Sequence, residues 1–259
     1  MNKLKPYLSL VFIFSFMMLQ AQKRNPETIT GIARGFLGKP YAASVLENYT
    51  GDERLIVNTD SVDCTTFVEY VMAAYLSGGI CAVTDTAFIR NVERIRYRGG
   101  KLEGYASRLH YFSDWINDNT EKGILTEVTD LFETAPAPGP VNFMSTHPEA
   151  YRQLRENPAL IDSLRAIERQ LSEMPAVFIP KELLDAQTDK IREGDIIAIV
   201  TTVNGLDISH VGFATRKAGR VHLLHASLKY KKVVIDPAPL TEYLLSHKSQ
   251  KGIRILRLN

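Results

Sequence analysis

The sequence predicts an α+β fold, with helices packed on one side of an antiparallel sheet. Two observations predict it. Apolar residues recur at helical spacing through the first two thirds of the chain, and short β-branched runs separated by turn residues fill its last quarter. Segregated rather than alternating helices and strands favour this layer arrangement. At 259 residues and 45% hydrophobic content the chain can bury a sizeable core.

The elements follow in order. "MNKLKPYLSLVFIFSFMMLQA" has two lysines, then an apolar run of about 12 residues, then Ala21, which is the layout of a secretory signal peptide over residues 1–21. The run is shorter than the roughly 20 residues that span a bilayer. An exported protein, periplasmic or secreted after cleavage, is expected, with no stable membrane insertion. Cleavage removes two positive charges from a formal net charge of +2. A near-neutral chain with no long basic run argues against a nucleic-acid partner.

Residues 26–37 predict a short helix closed by Gly38 and "KPY", and a loop runs on through "NYTGDERLIVNTDS". "VDCTTFVEYVMAAYLSGG" predicts a helix from Cys64, capped by Asp63 or Ser61 and ended by Gly78 and Gly79. Phe67, Val68, Val71, Met72, Tyr75 and Leu76 form its apolar face, and Glu69 lies toward the opposite side. Helices are also predicted near residues 84–96, in "RLHYFSDWINDN", and on either side of Pro158. Residues 84–190 read as a helical elaboration that shapes the substrate groove. "GDIIAIVT", "DISHVGFAT", "RVHLLHAS" and "RILRLN" predict strands.

Cys64 draws attention because the chain holds only two cysteines. A helix between Cys64 and Cys81 would separate them by about 20–25 Å, whereas a disulfide needs Cα atoms within roughly 7 Å. Cys64 therefore reads as a free thiol, facing inward at a helix N-terminus where the dipole and free N–H groups favour a thiolate. A buried apolar cysteine is the bland alternative, and Cys81 reads as structural.

A nucleophilic thiol needs a base and an orienting group. Ile208, His210, Gly212 and Ala214 are expected on one side of their strand. If "RKAG" forms the hairpin loop with Thr215 opposite Arg220, His210 faces His225 directly. A slip of two residues would put Ser227 opposite His210 and leave His225 one diagonal step away. His222 would point to the wrong face. The residues suggest Cys64 as nucleophile, His210 as base and His225 as orienter, with the Cys64 N–H available to an oxyanion. A zinc site lacks the usual ligand spacing and a fourth ligand, so no metal is expected.

"VDCTTFVEY", "GDIIAI", "SHVGFAT", "LLHAS" and "GKPYAAS" resemble motifs of the NlpC/p60 cysteine peptidase superfamily. Within it, "FLGKPY", "DCTTFVE", "RIRYRGG", "RLHYFSDWI", "NFMSTH" and "GDIIAI" resemble the N-acetylmuramoyl-L-alanine amidase-like group. The resemblance runs from about residue 30 to the C-terminus, so residues 22–259 read as one domain. It implies a papain-like fold and hydrolysis of the amide joining N-acetylmuramic acid to L-alanine. By position it implies Cys64 as nucleophile, His210 as base, His225 as third member and Tyr41 beside the nucleophile. The superfamily's usual gap between histidines would match His222 instead, but the "AS" after His225 favours that residue.

Arg108, His110, Asp114 and Trp115 are candidates for holding sugar or peptide, and Ser209 joins them as a candidate beside His210. For Trp115 core packing is the competing reading, and for Asp114 a helix-surface charge. Glu69 reads as structural. Peptidoglycan fragments are the expected partner, a monomer the expected state, and no cofactor is implied. The alternatives are an endopeptidase cutting between D-glutamate and the diamino acid, and a non-catalytic wall-binding module.

Overall fold

A computed structural model describes residues 26–47, 52–79 and 84–259. The signal-like segment and Cys81 lie outside the described residues. In chain order the elements are α1 (Pro26–Arg34), α2 (Cys64–Leu76), α3 (Thr86–Arg96), α4 (Phe112–Glu121), β1 (Leu125–Glu127), β2 (Ala135–Pro136), α5 (Phe143–Thr146), α6 (Arg152–Glu156), α7 (Ala159–Glu173), β3 (Val177–Pro180), α8 (Lys181–Leu184), β4 (Ile196–Thr201), β5 (Ile208–Lys217), β6 (Arg220–Ser227), β7 (Lys232–Pro239), α9 (Leu240–Ser246) and β8 (Gln250–Leu258). No described helix is long and apolar enough to cross a membrane.

The sheet is antiparallel, in the order β2-β3-β8-β4-β5-β6-β7, with β1 also paired to β8. Alternation along the strands builds two cores. Ile196, Ala198, Val211, Phe213 and Leu224 face α1 to α4, where they meet Phe67, Val71, Phe88 and Trp115. Ile197, Ile199, Ala214, Leu223 and Ile255 face the other way and are covered by Leu184, Leu240 and Leu244 of α8 and α9. The fold class is as predicted, with one refinement: the longer helices of the main core occupy one face, but two short helices close the other. An apolar second face of this size cannot be left to water.

Residues 84–190 are not a purely helical elaboration. Helices α3 and α4 belong to the main core, and β1 and β3 extend the central sheet through β8. A separate small core forms around Tyr111, Met144, Leu154, Leu164 and Leu171. Strands β1 and β2 are two or three residues long, too short for a period-2 pattern to register in the sequence. Strand β7 carries two prolines, Pro237 and Pro239, which mask it as a strand.

The "GD" that opens β4 ties the sheet together. Asp195 is 1% exposed and accepts two hydrogen bonds from Arg257 of β8, from Nε to Oδ1 and from Nη2 to Oδ2, both at 2.8 Å. The backbone N–H of Arg192 also donates to Oδ2 at 2.8 Å. Removing one partner of a buried pair strands the other. Asp195→Ala is expected to lower stability by about 3 kcal/mol, seen as a fall in Tm of about 6–12 °C in a thermal melt. A loss below about 1 kcal/mol would place this pair with ordinary surface salt bridges.

Candidate active site

Helix α2 starts where the sequence indicates. Asp63 is the N-cap: the Thr66 N–H donates to its Oδ1 at 2.8 Å, while the Asp63 N–H donates to Thr66 Oγ1 at 3.0 Å. This reciprocal box fixes Cys64 as the first helical residue. Just upstream, Val62 bridges the "KPY" segment, with the Val62 N–H donating to Pro40 O and the Ala42 N–H donating to Val62 O, both at 3.1 Å. That bridge holds half-buried Tyr41 beside the thiol. Burial, with Cys64 and Asp63 nearby, pushes the Tyr41 hydroxyl up to about 12.

The two histidines meet, by a register other than the direct one. Lys217 pairs with Arg220, leaving the two-residue turn Ala218-Gly219 with φ of 49° and 80°. Left-handed residues at both positions make this the tight turn that matches strand twist. The pairing is shifted by two from the four-residue "RKAG" loop, so His225 reaches His210 diagonally. His210 Nε2 and His225 Nδ1 are 2.6 Å apart, with the rings edge-on at 83°. Gly212 makes the approach possible, because a Cβ there would lie 2.9 Å from the Cβ of His225 and 2.8 Å from Leu224 O.

A bulge completes the placement. Ile199 pairs with His210, but Val200 pairs with Ile208, which leaves Ser209 unpaired. Ile208 therefore joins the helix-side core with Val200, and does not share a face with His210 as the simple alternation predicts. His222 points away from His210, and its Nδ1–H donates to Asp236 O at 2.9 Å.

Cys64 and His210 line one small cavity of about 90 Å³, together with Thr65, His110, Asp207 and Ser209. The thiol is free. Burial pushes it up to about 12; neighbouring Asp63 adds to the rise, and contacts from the Val211 N–H and Thr65 oppose it. Burial likewise pushes His210 down to about 3, reinforced by His225 and His247 and opposed by Asp236. Both shifts favour the neutral forms, a thiol beside an unprotonated imidazole, before substrate enters. The helix N-terminus does not produce a thiolate by itself, because desolvation outweighs it.

The other candidates divide. His110 and Ser209 border the cavity, and Tyr41 is near the thiol. The His110 Nε2–H donates to Tyr105 O at 2.8 Å, and burial with Arg108 nearby holds the ring neutral. Arg108 lines a neighbouring cleft with Thr65 and His110, but it is buried against Glu47 and Glu53. Asp114 is outside the cavity, locked in a two-bond pair with Arg98 at 2.8 and 2.6 Å. Trp115 is fully buried and stacks on Phe112 at 4.5 Å. In this arrangement both side chains are engaged within the fold. Glu69 is buried and paired with Arg96 at 2.7 Å.

Two carboxylates went unnoticed in the sequence. Asp207 borders the cavity and accepts the N–H groups of Ser113 and Ile208 at 2.6 and 2.7 Å. Asp236 lies 3.5 Å from His225 Nε2. The "D" before "ISH" could have been flagged as a strand-entry residue, whereas nothing in "VVIDPAP" marks Asp236.

Comparison with known proteins follows the same lines. The sequence pattern of N-acetylmuramoyl-L-alanine amidase-like proteins matches residues 31–253. A solved N-acetylmuramoyl-L-alanine amidase from Bacteroides uniformis ATCC 8492 is 39% identical, with a TM-score of 0.83 over 90% of this chain and 98% of that one. A Bacteroides fragilis protein carrying a provisional xylanase name is 42% identical, with a TM-score of 0.81 over 88% of this chain and 100% of that one. A Legionella pneumophila protein, 24% identical, shares the fold with a TM-score of 0.67 over 90% of this chain and 88% of that one. No curated protein is significantly similar. By the extent of the sequence match and the agreement of fold, the chain belongs to the N-acetylmuramoyl-L-alanine amidase-like family.

Proposed function

We propose that the protein is an exported peptidoglycan amidase, cleaving the amide between N-acetylmuramic acid and L-alanine by a Cys64–His210–His225 thiol mechanism of the NlpC/p60 kind. Family membership supports the hydrolase class. The observation that carries the mechanism is the cavity bordered by both the Cys64 thiol and the first ring of a bonded histidine pair.

The chemistry follows from the neutral resting state. As Sγ of Cys64 bonds to the lactyl carbonyl carbon, its proton passes to His210 Nδ1. The oxygen becomes an oxyanion next to the first N–H groups of α2, which no helical carbonyl occupies. Collapse breaks the C–N bond, and the imidazolium returns its proton to the departing alanine amine. The thioester left on Cys64 is attacked by water, which gives its proton to His210. The thiol leaves with that proton and frees the muramic acid carboxyl. His225 holds the His210 ring throughout.

The xylanase name of one relative suggests another reading, which the site does not favour. Glycoside hydrolysis uses two carboxyl groups flanking the bond. Among the described residues lining the Cys64 cavity, Asp207 is the one carboxylate, and two backbone N–H groups engage it.

With a disaccharide–tripeptide muropeptide, mass spectrometry should show free disaccharide and an L-alanine-led peptide. Cys64→Ala should abolish release, and His210→Ala should slow it by about 10²–10⁴-fold. Cleavage inside the peptide would move the bond to that of an endopeptidase, and product formation by Cys64→Ala would end the thiol reading. The pH dependence of the resting enzyme has a definite sign. A thiol with a raised pKa stays protonated as pH climbs, so alkylation of Cys64 by iodoacetamide should be slow at pH 7 and still rising above the ordinary thiol value of about 8.5. A plateau reached by pH 7 would mean a resting thiolate–imidazolium pair.

A further inference from the structure

The thiol mechanism needs His210 in one tautomer. Its Nδ1 must be bare to take the Cys64 proton, so its single proton must sit on Nε2. Two histidines facing each other at 2.6 Å do not settle this, since the hydrogen between them can belong to either ring. A neutral His225 with its proton on Nδ1 would donate to His210 Nε2, push the His210 proton onto Nδ1, and leave no base. Something must break the symmetry.

We propose that Asp236 does so, as a positioning residue that holds the proton of His225 on Nε2 and thereby sets His210 as the base. This rests on the thiol–histidine reading above. His225 is 2% exposed, and its Nε2 has no closer hydrogen-bond partner than the Asp236 carboxylate, whose Oδ2 lies 3.5 Å away. That distance is longer than a formed hydrogen bond, but its sign is decisive. A carboxylate can only accept, so an Nε2 lone pair facing it would be repelled, while an Nε2–H is attracted. With Nε2 protonated, His225 Nδ1 is an acceptor, His210 Nε2–H donates into it, and His210 Nδ1 is bare. When His210 takes the thiol proton, the positive charge is stabilised through His225 by the carboxylate, with no proton moving onto Asp236.

The backbone is shaped for this. The β6–β7 ladder shifts from Leu224 opposite Ile235 to His222 opposite Pro239, which lifts Asp236–Ala238 out of register. Asp236 Oδ1 accepts the Ala238 N–H at 2.9 Å, which fixes the carboxylate. Burial opposes its charge, but the His225 contact, the Ala238 N–H and Lys229 outweigh that and hold its carboxyl below the usual range. A cavity of about 500 Å³ brings Lys229 of the β6–β7 turn, Tyr243 of α9 and His247 just after it around His210, His225 and Asp236. Two described carboxylates border the histidine pair, Asp207 on the Cys64 side of His210 and Asp236 against His225, so Asp236 is the one that faces His225 Nε2. Cys64, Tyr243, His247 and Lys229 cannot supply a negative charge while protonated, and Asp207 on the Cys64 side is engaged by backbone N–H groups.

The test is imidazole ¹⁵N NMR of the purified protein, with kinetics alongside. In the wild type, His225 should be protonated on Nε2 and bare on Nδ1. Asp236→Asn keeps the acceptor for Ala238 but presents an NH₂ to His225, and should turn both rings to the opposite tautomers. It should lower kcat on the muropeptide by about 10- to 100-fold, less than loss of the base itself, worth about 10²–10⁴-fold, because the His210 ring remains, with KM changed by less than about twofold. In a His225→Ala background the same substitution should cause no further loss, since its effect passes through that ring. A wild-type His225 protonated on Nδ1, or an Asp236→Asn loss of equal size without His225, would overturn the assignment. The spectra report on Asp236 whether or not the thiol reading survives, and that reading fails separately if Cys64→Ala stays active.

Discussion

Residues Thr66 to Tyr75 of α2 are all buried, on every side of the helix, and this burial positions everything else in the site. A helix enclosed on all sides cannot rotate or slide without opening cavities, so its first residue has a fixed address. Enclosure also means that Glu69 must be satisfied internally. Arg96 reaches it from α3, and the pair, 3% and 1% exposed at the side chains, leaves neither charge stranded. Expecting a single apolar face undercounted the helix: α3 covers the side that the pattern leaves to water, and Arg96 makes that cover tolerable.

Against this fixed helix the strands supply side chains through their irregularities. The tight Ala218-Gly219 turn sets the register, the unpaired Ser209 turns His210 away from Ile208, and the break in the β6–β7 ladder lifts Asp236 toward His225. Each is a small local strain or lost pairing. Regular strands would bury these three polar groups in apolar layers, where each would need a partner of its own. Together the irregularities turn the groups toward one another at the sheet's end.

The fold class and the central pairing were legible in the sequence because they rest on strong local signals. Aspartate before a helix start, paired glycines after its end, and β-branched runs all carry their meaning within a few residues. The His210–His225 contact survived an error in register, because a slip of two preserves the face. What was not legible depends on distant partners. Asp114 and Trp115 look functional until Arg98 and Phe112 are seen beside them. Asp236 looks like a loop residue until His225 is placed across the ladder. The environment of the thiol is equally illegible: the helix N-terminus is a local signal, whereas the desolvation that opposes a thiolate comes from the surrounding fold.

A cavity of about 90 Å³ is too small for a sugar and a peptide, so on the proposed reading it takes only the reacting amide. Besides the cavity around the histidine pair, which shares His210, two clefts share its walls. One shares Asp207 and Ile208 and runs toward the Pro136–Gly139 loop and Arg254. The other shares Thr65, Leu109 and His110 and runs toward Glu47 and Arg108. On the proposed reading this layout suits a substrate with arms on both sides of its scissile bond. Much of both walls comes from residues 84–190. On the proposed reading that segment shapes the groove, as the sequence suggests. The charges already facing Arg108 and Arg254 also constrain what can bind, because Glu47, Glu53 and Glu127 occupy those guanidinium groups. A carboxylate on the substrate would have to displace one of these partners, so on the proposed reading neither arginine acts as a free anion site.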